Sequence, residues 1–98
     1  MTINKINDDA ALTIELAGRL DTVSAPQLEA ELKKSISGIE TLVFDFDKLE
    51  YLSSAGLRVL LASQKVMNRQ GKMIIKNVNS TIMDIFEVTG FSDILTVE

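Results

Sequence analysis

The sequence predicts one small α/β domain, a mixed, mostly parallel sheet of four to five strands with helices packed on it. Three observations predict it. The run Ala11-Leu12-Thr13-Ile14-Glu15-Leu16 alternates apolar and polar side chains, the period-two mark of a half-buried strand. Two further β-rich runs, 41–46 and 72–76, alternate with segments whose apolar residues recur every three or four positions, as in βαβ units. The chain has 98 residues, enough for one domain with little room for a second, so 1–98 is read as a single unit.

Taken in order, residues 1–7 carry weak strand character through Ile3 and Ile6. Asn7-Asp8-Asp9 is turn chemistry, so this segment and 11–16 form a hairpin that sets one antiparallel strand at the sheet edge. Gly18-Arg19-Leu20-Asp21 reads as a loop. Ser24 then offers an N-cap, with Gln27 closing a capping box and Pro26 in the first turn. Leu28, Leu32 and Ile36 make the inner face of a helix that ends near Gly38.

Thr41-Leu42-Val43-Phe44-Asp45-Phe46 is apolar enough for a central strand. Ser53-Ser54-Ala55-Gly56 opens a second helix running to about Gln70, with Gly71 placed to end it. Lys72–Lys76 is another buried strand. A third helix spans 80–88, with Ile82, Ile85 and Phe86 inward and Gly90 closing it. Ile94–Val97 is a last strand or a short terminal segment.

Composition narrows the function. Apolar residues make up 46% and charged residues 24%, a globular balance. The chain has no cysteine and no histidine, which removes disulfides, thiolate chemistry, the serine–histidine triad and the commonest zinc ligands. No cofactor or metal is expected, and an enzyme is the weaker reading because no catalytic cluster is visible. Neither a phosphate-binding loop nor a dinucleotide fingerprint is present. A net charge of −4 with unclustered Lys and Arg disfavours nucleic acid and anionic membranes. No run is long and apolar enough to span a bilayer, and Met1–Lys5 begins no secretory signal, so a cytoplasmic location is expected. Nothing requires a dimer, and a monomer is expected.

The informative segment is Phe44 to Arg58: a buried strand, a short acidic connection, then two serines at a helix start. The first turn of a helix has unpaired N–H groups and the positive end of the dipole. A serine there is most often a simple cap. Phosphorylated, it would set an anion beside those donors. The helix that follows carries two apolar stripes, one of Ala55, Val59, Ala62 and Val66 and one of Leu57, Leu60, Leu61 and Met67. One stripe must face the sheet. The other lies under a neighbouring helix or stays open as a docking face beside Ser54. Asp45 and Asp47 suggest strand-end and turn residues rather than a carboxylate pair. Met67, Met73 and Met83 suggest core filling. Arg58 could meet a partner carboxylate or a Ser54 phosphate, although an exposed helical arginine is usually only solvated.

Tyr51-Leu52-Ser53-Ser54-Ala55-Gly56-Leu57 resembles the signature of STAS domains of the bacterial anti-sigma factor antagonist type. Gly18-Arg19-Leu20-Asp21 with Ser24-Ala25-Pro26 is similar to that family's earlier motif, and Val88-Thr89-Gly90-Phe91 to its closing segment. The three matches keep their order and spacing across the chain. The resemblance implies a binding module. Its unphosphorylated form binds an anti-sigma factor that is also a serine kinase and so releases a sigma factor. Phosphorylation of a serine at the helix start ends binding, and a serine phosphatase resets it.

On this sequence the resemblance places the acceptor at Ser54 and an acidic neighbour at Asp21. It implies a partner surface of Asp21, Ser53, Ser54, Gly56, Leu57, Arg58 and Leu61. Many relatives carry an aspartate where this chain has Ser53. Two readings follow: Ser53 shares or takes the modification, or the switch is altered or lost. In the latter case the chain is a non-switching STAS scaffold or a subunit of another complex, such as a transporter assembly.

Overall fold

Strands β1 (Thr2–Asp8) and β2 (Ala11–Leu20) form the hairpin that the turn residues predict, in a computed structural model that describes residues 1–98. Asp9 sits at the turn with φ +58°, a left-handed conformation that aspartate tolerates better than most residues. The remaining elements are α1 (Ala25–Ser35), β3 (Thr41–Leu52), α2 (Ser54–Gln70), β4 (Lys72–Lys76) and α3 (Ser80–Thr89). The four strands lie in the order β1-β2-β3-β4. The β1–β2 pairing is antiparallel, and β2–β3 and β3–β4 are parallel. Because each parallel strand is followed directly by a helix, the N-termini of α1, α2 and α3 gather at one end of the sheet. The candidate site lies there.

One face of the sheet is the core. Leu12, Ile14 and Leu16 of β2, Leu42, Phe44 and Phe46 of β3, and Met73 and Ile75 of β4 join a single cluster with Leu28, Leu60, Met67, Ile82 and Phe86 from the helices. Each such Leu, Ile or Phe contributes roughly 1.5–3 kcal/mol when fully buried. On the other face Thr13, Val43 and Ile74 pair in one row and are half-buried, while Ile6 at the β1 end of that row is exposed.

Two expectations on strand length are corrected. Gly18-Arg19-Leu20 belongs to β2 rather than to a loop, and the acidic connection after Phe46 belongs to β3. The register between β2 and β3 shifts between Glu15 and Ala17 and again between Gly18 and Arg19, and Gly18 takes φ +99°. These bulges let both strands continue past the irregularity. Leu20 and Leu52, at their ends, are again fully buried.

The capping box is corrected as well. Ser24 holds the N-cap position of α1, but its side chain makes no cap bond, and Pro26 lies in the first turn as expected. The Ser24 hydroxyl turns backwards instead, donating to the Arg19 carbonyl at 2.7 Å and accepting from the Asp21 N–H at 2.9 Å. Gly71 ends α2, but with an extended φ of 172° rather than a left-handed cap. A Cβ there would collide with the Glu40 carbonyl, which accepts the Lys72 N–H at 2.9 Å. Glycine is thus needed for close approach. The preceding Gln70 amide donates to the carbonyls of Ile36 (3.0 Å) and Ile39 (2.9 Å), tying the C-terminal ends of α1 and α2 together.

Helix α3 is capped by Asn79, whose side chain accepts from the Ile82 N–H at 2.9 Å and donates to the Leu49 carbonyl at 3.0 Å. Gly90 closes it at φ +80°. After a short 3-10 turn over Phe91–Asp93, Val97 forms a single parallel bridge with Ile75, so the tail is a fragment of a strand and the sheet has four.

Candidate functional site at the start of α2

The site is built where β2 and β3 end. The Ser53 N–H donates to the Leu20 carbonyl at 2.9 Å, which fixes the chain between β3 and α2 against the end of β2. Ser53 takes extended dihedrals at the N-cap of α2, and Ser54 is the first helical residue. Gly56 then brings the helix down onto the sheet. A Cβ at this position would stand 2.8 Å from Leu20 Cγ and would also collide with Leu52 Cδ1. Only a residue without a side chain allows the helix start to sit this close.

The two serines differ. Ser54 is exposed. The Ser53 hydroxyl is buried, caps nothing and has no hydrogen-bond partner. The first turn of α2 contains no acidic residue and no side chain caps it, so its leading N–H groups have no partner from the helix's own first turn. An anion at the Ser54 hydroxyl would lie beside those donors.

Asp21 is committed to its own turn. Its Oδ1 accepts from the N–H groups of Val23 and Ser24, each at 3.1 Å, and Arg19 lies 3.9 Å from Oδ2. The Ser24 N–H, first among these, holds the Asp21 carboxyl below its ordinary value of 3.8. This turn adjoins Leu20, and so flanks the start of α2. No group of three or more Asp, Glu, His or Cys side chains is placed to hold a metal ion, and no helix is long and apolar enough to cross a membrane.

The chain matches the model of the STAS domain over residues 2–98. It belongs to the STAS domain family. Among relatives of this STAS domain, BtrV of Bordetella bronchiseptica, named as an anti-sigma factor antagonist, is 36% identical over 99 residues. That alignment spans 99% of this chain and 84% of BtrV. An anti-sigma factor antagonist from Mycobacterium paratuberculosis superposes with a TM-score of 0.88 at 22% identity, over 98% of this chain and 83% of that one. The anti-sigma factor antagonist SpoIIAA superposes in its unphosphorylated form with a TM-score of 0.79 at 20% identity, over 99% of this chain and 87% of SpoIIAA. Its phosphorylated Bacillus form gives 0.77 at 20% identity, over 99% and 91%. At these identities the structural likeness is one of fold.

The residues predicted to meet a partner in this STAS domain separate into two groups. Ser54 and Arg58 are exposed, and Asp21, Ser53 and Leu61 are half-buried. Gly56 and Leu57 are buried, so they position the helix instead of offering surface. The apolar docking face imagined beside Ser54 therefore shrinks to Leu61, because Leu57 and Leu60 face the core. The other stripe is split: Val59 is buried and lines a groove of about 210 Å³ against α1 with Val66 and Ala62.

Two features escaped the sequence reading. Arg19 and Tyr51 pair across β2 and β3, with the guanidinium 4.5 Å from the ring centroid. That pairing exists only because the bulges set the register. Val23, at the tip of the Asp21 turn, is 88% exposed; a β-branched residue inside turn chemistry was the available signal. Asp45, by contrast, accepts from the Asp47 N–H at 3.0 Å and from Asn77 Nδ2 at 2.9 Å, and Asn77 holds its carboxyl below 3.8. It fixes local backbone, but Asp45 and Asp47 both lie within β3, which corrects the expectation of a strand-end and a turn residue.

Proposed function

We propose that this STAS domain is an anti-sigma factor antagonist that acts by binding, with Ser54 as its control point. Its unphosphorylated form binds an anti-sigma factor with serine kinase activity and frees the sigma factor. Phosphate on Ser54 ends binding, and a serine phosphatase restores it. The carrying observation is the contrast at the start of α2: Ser54 is exposed at the first helical position, while the Ser53 hydroxyl is buried. A kinase can reach the first without unfolding anything and cannot reach the second. Membership of the STAS family and the names of the relatives support the same reading.

The physical switch is local. Phosphate adds about −1.5 to −2 charges at neutral pH. The free N–H groups of the first turn of α2 can receive it without rearrangement, so the fold need not change. Arg58 and Leu61 follow Ser54 by about one and two turns of α2, so the added charge falls beside the proposed partner surface. A loss of about 1.4 kcal/mol already weakens binding tenfold.

The test is to incubate the chain with the anti-sigma factor of its own host and ATP and to map the product by mass spectrometry. Modification of Ser54, absent in Ser54→Ala, supports the proposal. Modification at Ser53 or Thr22 instead, or none, overturns it.

A further inference from the structure

The solvent face of α2 carries charge of one sign. Helix α2 contains Arg58, Lys65 and Arg69 and no Asp or Glu. All three are exposed, and they follow Ser54 at steps of four, seven and four residues, which places them along one line of the helix. From Ser54 to Arg69 that line is about 22 Å long. None of the three takes part in the chain's ion pairs, which are Lys5–Glu31, Arg19–Asp21, Lys33–Glu29 and Lys34–Glu31.

Helix α1 is the internal comparison. Its two lysines are both matched by glutamates of the same helix, three or four residues away. On α2 the corresponding neighbours are Ser54, Ala55, Leu61, Ala62, Val66 and Asn68, none of them acidic. The rest of the chain holds the other seven of its ten Lys and Arg and all fourteen Asp and Glu. A helix that only needed solubility would mix signs, as α1 does.

We infer that the line Ser54–Arg58–Lys65–Arg69 is a docking stripe for an acidic surface of the anti-sigma factor. This rests on the proposed function and adds the chemistry of the partner's face. Leu61 is half-buried and Ala62 exposed within the stripe, an apolar middle between basic ends, as protein interfaces have. Three cations on a chain of net charge −4 suit a protein carboxylate patch better than nucleic acid, whose binding draws on about six to ten phosphate contacts. The stripe also extends the reach of the switch. Phosphate on Ser54 leaves only about one to one and a half of its three positive charges uncompensated. The off signal then acts along the whole face and not only at the serine.

The experiment measures binding of the full chain to the purified anti-sigma factor of its host across a range of salt. Wild type is compared with Arg58→Glu/Lys65→Glu/Arg69→Glu, with Arg58→Lys/Arg69→Lys, and with Lys33→Glu/Lys34→Glu on α1. Circular dichroism confirms that each is folded. The stripe reversal is expected to lower the association rate about ten- to a hundredfold and to abolish most of its salt dependence. The lysine variant should bind as wild type does, and the α1 reversal should change the rate less than threefold. Full-strength binding by the stripe reversal overturns the stripe and leaves the proposed function standing. A wild type that does not bind the anti-sigma factor refutes both. Wild-type binding to duplex DNA or to phosphatidylserine vesicles, lost on stripe reversal, overturns the protein partner in favour of that polyanion.

Discussion

Replacing Gly56 with alanine sets two effects against each other. Within a helix, alanine is better than glycine by about 1 kcal/mol, so propensity alone predicts a more stable protein. The added Cβ, however, would lie 2.8 Å from Leu20 Cγ and 3.0 Å from Leu20 Cδ2, and would overlap Leu52 Cδ1. Leu20 is 0% and Leu52 1% exposed, so neither can swing into solvent to make room. Overpacking of this kind costs about 1–3 kcal/mol. Gly56 is also the third helical residue, where propensity counts least. The net expectation is destabilisation by about 1 kcal/mol, a melting temperature about 4–8 °C lower for a domain of this size. The helix start should lift from β2 and β3 and carry Ser53 and Ser54 with it, so affinity for the anti-sigma factor should fall as well. Thermal unfolding followed by circular dichroism decides the sign. A higher melting temperature with unchanged partner affinity would refute the packing argument.

Other outcomes follow from the caps and turns. Ser53→Ala should change stability by less than about 0.5 kcal/mol, since its hydroxyl makes no bond, whereas Asn79→Ala should cost about 1 kcal/mol or more. Equal costs in urea titrations would contradict the contrast. Ser24→Ala should cost about 1–2 kcal/mol, because it removes the hydrogen bonds that join the Ser24 hydroxyl to the Arg19 carbonyl and the Asp21 N–H. For Asp21 the folded carboxyl sits below 3.8, so its stabilising effect is complete above that value and is lost as pH falls through the lower folded one. The stability gap between wild type and Asp21→Asn should therefore be constant from pH 7 to 5 and narrow below about pH 4. A gap that does not change on acidification would mean the carboxylate charge is not what holds the turn.

Much of this molecule is written in local patterns. The alternation of Leu12, Ile14 and Leu16 and the spacing of Leu28 and Leu32 identify their elements because one face of each is dry. The two serines before Gly56 likewise mark the start of α2. What stays hidden is non-local. The extension of β2 and β3 depends on register shifts that become visible only when the strands are paired, and with them come the Arg19–Tyr51 contact and the burial of Leu20 and Leu52 beneath Gly56. The capping box fails for a similar reason: the Ser24 hydroxyl, which a cap needs as an acceptor, accepts instead from the Asp21 N–H while donating to the Arg19 carbonyl. Burial also divides Ser53 from Ser54, and neighbouring residues in a sequence give no hint of that. The basic line on α2 could have been read in advance, from three cations without one acidic neighbour.

The central claim is that phosphate on Ser54 switches partner binding off, and calorimetry tests it most directly. The chain carrying phosphoserine at position 54 and the unmodified chain are each titrated into the purified anti-sigma factor. The account predicts tight binding by the unmodified chain and affinity at least about a hundredfold weaker for the phosphorylated one, roughly 2.7 kcal/mol. Equal affinities for the two forms would contradict it.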